Sequence, residues 1–80
     1  MNLRGSTAKE DHKRLSKAWR YEVNQLEATK QELDRLYLKL EDVVDERLVD
    51  SIIYEIKSQE AKYDYHYHNV RLIEERTNVT

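Results

Sequence analysis

Apolar residues recur at helical spacing along nearly the whole chain, in two separate stripes. In the first, His12, Trp19, Leu26, Leu33 and Leu40 stand seven apart, with Leu15, Glu22, Thr29, Leu36 and Val43 between them. The second repeats Val49, Ile56, Tyr63, Val70 and Thr77, with Ile52, Gln59, His66 and Ile73 between them. Two such positions per heptad make the seam of a coiled coil. Val23, Tyr37, Val44, Ile53 and Tyr67 lie just off the seam and widen the apolar stripe beyond what a single partner helix covers.

The phase of the stripe breaks at Val43-Val44-Asp45. Asp45 can cap a new helix, and Glu46 suits the positive end of its dipole. One uninterrupted helix is the competing reading, since neither glycine nor proline marks the break. At the front, Thr7 and Glu10 have the spacing of a capping box. The organisation expected is a flexible N-terminal tail over 1–7, then one helical-hairpin domain over 8–80. Within the domain, helix 1 covers about 8–42, the turn about 43–45 and helix 2 about 46–77.

Folding the chain back at the turn aligns the stripes layer by layer. Leu40 meets Val49, Leu36 meets Ile52 and Ile53, and Leu33 meets Ile56. Further down, Leu26 meets Tyr63, Trp19 meets Val70 and Leu15 meets Ile73. Polar positions coincide too, with Thr29 opposite Gln59 and Glu60, and Glu22 opposite His66. A half-buried acid–imidazole pair there would hydrogen-bond and fix the register, as polar layers do in coiled coils. The fold class expected is therefore all-α: an antiparallel, coiled-coil-like two-helix hairpin. Its uncovered flank (Val23, Tyr37, Val44, Ile53, Tyr67) is the candidate dimer face, through which a homodimer would complete a four-helix bundle.

Composition narrows the classes. Eighty residues are one small domain at most, and one glycine with no proline argues against sheets and long loops. Charged residues form 38% of the chain, which would suit disorder were the apolar periodicity absent. The absence of cysteine excludes disulfides and thiolate metal sites. No apolar run reaches the ~20 residues of a membrane span, so no membrane insertion and a cytoplasmic location are expected. The net charge of −2 is unevenly spread. Basic residues crowd the first twenty positions, whereas Glu41, Asp42, Asp45, Glu46 and Asp50 crowd the turn.

The segment from Val44 to Tyr65 resembles the YaaL-like family of small bacterial proteins of unknown function. The resemblance rests on Leu48, Val49, Asp50, Ile53, Tyr54, Glu55, Lys57, Glu60, Tyr63 and Tyr65. Members commonly have a helix-starting residue such as proline where this chain has Glu46. The resemblance implies a two-helix protein without a known catalytic residue. A shorter segment, Lys30-Gln31-Glu32-Leu33-Asp34, is similar to the Ser-Gln-Glu-Leu-Asp signature of small sporulation aspartyl-phosphate phosphatases, with Lys30 in place of the serine.

Candidate chemistry is sparse. His66 and His68 diverge on a helix, and Asp64 with His68 is a two-ligand fragment, short of a structural zinc site. Ser51 and Ser58 have no base beside them, and no phosphate loop is present. No catalytic, cofactor or metal residue is assigned, and an enzyme is not expected. The basic start of helix 1 with Trp19 and Tyr21 offers cations and aromatics to a nucleic acid. By register, however, Trp19 belongs to the seam. The function read from these residues is a non-catalytic protein–protein interaction or adaptor module. Its candidate surface comprises Tyr54, Tyr65, His68, Asp42, Asp45, Glu46 and Asp50, with a protein partner of unknown identity. The alternatives are a nucleic-acid-associated protein and a phosphatase-like regulator.

Overall fold

A computed structural model describes the backbone of residues 7–78 and the side chains of residues 10–77. Helix α1 spans Thr7–Asp42 and helix α2 spans Glu46–Asn78. The expected tail lies outside the described residues except for Thr7, which is already helical. The capping box needs the Thr7 side chain, which also lies outside them.

The two helices pack against each other as an antiparallel hairpin measuring 65 × 19 × 14 Å. Three residues, Val43 to Asp45, reverse the chain, and no described residue has a positive φ. That explains a turn without glycine: no residue enters the left-handed region that favours it. Val43 tucks against the core while Val44 stands out at the tip, 91% exposed. Asp45 starts α2 in two ways. Its Oδ1 accepts from the Arg47 amide at 2.9 Å, and its carbonyl accepts from the Val49 amide at 2.9 Å. The side-chain bond satisfies one of the amides that a helix start leaves free.

The core sits in the half nearest the turn. Leu36, only 1% exposed, packs with Ile52 and Ile56, and Leu33, Leu40 and Val43 close around them. Each fully buried aliphatic side chain contributes about 1.5–3 kcal/mol. Toward the open end Val70 is buried, and Leu15, Leu26, Tyr63 and Ile73 are half-buried. Thr29 is buried as well, but its hydroxyl donates to the Gln25 carbonyl at 2.7 Å. The expected polar layer with Gln59 and Glu60 is thus no cross-helix bond at Thr29. A threonine inside a helix can satisfy itself one turn back. Among the described residues, no buried side-chain polar atom lacks a partner.

Candidate interaction surfaces

Among the described residues, three cross-helix hydrogen bonds set the helices against each other away from the apolar core. Glu22 Oε1 lies 2.6 Å from Nδ1 of His66, both side chains being largely buried at 15% and 13% exposure. This is the layer that the heptad register predicts. The Trp19 indole donates to Glu74 Oε2 at 3.2 Å, and the Tyr37 hydroxyl donates to Glu60 Oε2 at 3.1 Å. Trp19 is therefore engaged with an acid at the seam's edge rather than displayed for stacking on a base.

The seam leaves the hairpin with two unlike broad faces. Val23, Lys30, Tyr37 and Val44 each follow a seam position of α1, and Ile53, Glu60, Tyr67 and Glu74 each follow one of α2. In an antiparallel pair these rows run along the same side. Accordingly, Lys30, Leu33, Asp34, Tyr37, Glu60 and Tyr63 line one open groove. From its wall Tyr63 stacks on Tyr67 with centroids 6.4 Å apart, and within it Lys30 pairs with Asp34 at 3.5 Å. Of the candidate dimer face, Val23 is half-buried, whereas Tyr37, Val44, Ile53 and Tyr67 are exposed. The Glu60 carboxylate that accepts the Tyr37 hydrogen bond raises the phenol's pKa above its ordinary value.

The opposite face mixes ion-paired charge with exposed apolar side chains, Leu48 and Leu72 among them. Arg35 forms a two-bond pair with Glu32, and that pairing holds the Glu32 carboxyl below the usual carboxylate range. Lys39 and Lys62 add to the effect, so cations of both helices surround this acid.

The candidate residues around the turn and on α2 fall into two groups. Asp42, Glu46 and Asp50 are exposed at the turn, while Asp45 is committed to capping α2 and lies 3.5 Å from the Arg47 guanidinium. Tyr54, 74% exposed, stands with Tyr65 and His68 on the outer side of α2. The Tyr65 ring meets the His66 ring edge-on at 5.0 Å. Tyr54 and Tyr65 are three helical turns apart, about 16 Å, so they form a stripe rather than a cluster. Exposed Leu72, which lies off both heptad positions, extends that stripe. Its spacing of seven from Tyr65 was the available signal. Among the described residues, no three of His, Asp and Glu converge so as to hold a metal ion, and no helix is long and apolar enough to cross a membrane.

Residues 7–74 match the family described as "Protein of unknown function (DUF2508)". The chain belongs to this family. The DUF2508 match takes in nearly all of both helices, including α1, to which the YaaL-like resemblance contributed little. That resemblance is consistent with the DUF2508 assignment. No curated protein and no solved structure matches the chain.

Proposed function

We propose that this DUF2508 hairpin is a non-catalytic protein-interaction module that works through the face carrying Tyr37, Val44, Ile53 and Tyr67. The observation that carries this reading is the imbalance of its packing. Mutual contact of the helices buries Leu36, Ile52, Ile56 and Val70, yet leaves those four residues exposed along one side. Two helices have a single contact surface, and a small scaffold with so little core gains from association. Covering the flank with a second copy, as a homodimeric four-helix bundle, is the simplest arrangement.

The test is an Ile53→Glu, Tyr67→Glu variant compared with the wild type by sedimentation and affinity capture. The variant is expected to keep its helical spectrum and to lose self-association and every retained protein. Equal behaviour of the two chains would reject the flank as the working surface. A matching Tyr54→Ala, Tyr65→Ala variant separates the α2 stripe from the flank, since only the flank substitutions are expected to abolish association.

A further inference from the structure

Taking the flank as the interaction surface, we propose that its occupant is a second copy of the chain, stacked face to face with the two turns at opposite ends. The alternative symmetric stacking puts both turns at one end. Apolar contact favours neither. With opposed turns Val23 meets Tyr37 of the other copy and Ile53 meets Tyr67; with turns together Val23 meets Tyr67 and Tyr37 meets Ile53.

Charge separates the two arrangements. Beside the apolar rows, on the same face, run Arg20, Glu27, Asp34 and Glu41 from α1 and Asp50, Lys57, Asp64 and Arg71 from α2. Opposed turns place Arg20 beside Glu41 of the other copy, Asp50 beside Arg71 and Lys57 beside Asp64, each contact occurring twice by symmetry. Turns together place Arg20 on Arg71, Glu41 on Asp50 and Glu27 on Asp64, three repulsive contacts against two attractive ones, Asp34 on Lys57 and Lys30 on Glu60. Arg20, Glu41, Asp50, Lys57 and Asp64 form no ion pair with another described residue, and Arg71 reaches only the Tyr67 hydroxyl at 3.4 Å. The charges that this stacking would satisfy are thus ones without an ion-pair partner among the described residues.

The opposed arrangement has a cost at its centre. There Lys30 faces Lys30, Glu60 faces Glu60, and Glu27 approaches Asp34. Each layer has relief within its own chain, Lys30 bonding Asp34 and Glu60 accepting from Tyr37. A polar central layer also fixes register, since sliding would bury these charges under apolar rows. The size is adequate. The face from Ser16 to Val44 is about 42 Å of helix, and the hairpin is 19 Å wide. That footprint of about 800 Å² is what each partner contributes to a standard interface.

The chain has no cysteine, so a nitroxide on Glu46→Cys reports one position per copy at the rim of this face. Opposed turns set the two labels roughly 40 Å apart at 1.5 Å rise per residue. A separation under about 20 Å would overturn the arrangement while leaving the flank as the interface. A monomeric mass at all concentrations would overturn the second copy itself, and the flank variants above would then decide the broader reading.

Charge exchange gives an independent readout. Arg20→Glu and Glu41→Arg should each weaken self-association about tenfold, because each reverses two contacts. Mixing the two variants should restore wild-type affinity, since both reversed contacts become complementary in the mixed dimer. Tighter association of either single variant is what the turns-together stacking requires, and it would reject the proposal.

Discussion

Near the turn the two helices are joined by hydrocarbon, and toward the open end they are joined by hydrogen bonds. Leu36, Ile52 and Ile56 exclude water almost completely, with Leu33, Leu40 and Val43 around them. Past Thr29 the same seam holds Glu22 against His66 and Trp19 against Glu74, with Val70 the one fully buried apolar residue among those described. The contrast teaches a division of labour. Apolar layers supply free energy but tolerate sliding, because one leucine substitutes for another along a groove. A half-buried acid–imidazole pair contributes less, yet it has one partner and therefore one register.

The largest break of this contrast is Leu36→Ala. A buried Leu-to-Ala change typically costs about 2–5 kcal/mol, and a hairpin with so few buried residues has little in reserve. Cooperative thermal unfolding is expected to disappear or to fall to a much lower midpoint. A variant that melts within a few degrees of the wild type would mean that the turn half does not carry the fold.

The open half breaks differently. Glu22→Ala leaves the His66 ring without its partner in a largely buried site, at a cost of about 1–3 kcal/mol. Replacing both, Glu22→Leu with His66→Leu, converts the layer to the kind found at the turn. The double variant is expected to melt higher than the single one, and its register to loosen. Amide exchange near residue 66 would report that loosening as protection spread over alternative pairings. A single well-defined register in the double variant would show that the apolar layers already specify it.

Much of this division was legible before the structure, and particular residues show why. Leucines and isoleucines three or four apart on a helix have few competing roles, so Leu33 with Leu36 and Ile52 with Ile56 announce a core by spacing alone. Glu22 and His66 were found by counting layers from the turn, because two rigid helices leave no freedom in which layers meet. Trp19 with Glu74 and Tyr37 with Glu60 escaped the same counting. Long side chains cross a layer boundary by choice of rotamer, and periodicity carries no rotamer. Thr29 shows the converse limit: its position was right, yet its hydroxyl bonds its own helix. The flank was legible as a widened apolar stripe, and its exposed residues are where the spacing placed them, but the charges beside it fall into order only when both rows are placed on one face.

A smaller test sharpens the boundary at the turn itself. Asp45 was identified as a helix-starting residue by type, and its carboxylate accepts from the Arg47 amide. Asp45→Ala should cost about 1 kcal/mol, and Asp45→Asn, which keeps an acceptor, should recover most of it. The loss should register as faster exchange in the first turn of α2, leaving Glu22 and His66 undisturbed. Equal loss in the alanine and asparagine variants would assign the effect to charge at the tip rather than to capping.

The smallest expected effect is at Tyr37, which reaches from the hydrocarbon half to Glu60 beside the Thr29 layer. Its hydroxyl donates to Glu60, and that bond to a carboxylate raises its pKa. A group with a raised folded-state pKa stabilises the fold fully below its unfolded value, near 10 for tyrosine, and loses that contribution as pH climbs through the folded value. Ionisation removes the donated proton and sets phenolate against carboxylate. The wild type should therefore lose a little stability between neutral pH and strongly alkaline conditions that Tyr37→Phe does not lose. Because the ring is exposed, the difference should be small and should shrink with added salt. Parallel melting curves for the two proteins across that range would mean that Tyr37 and Glu60 meet without coupling the helices.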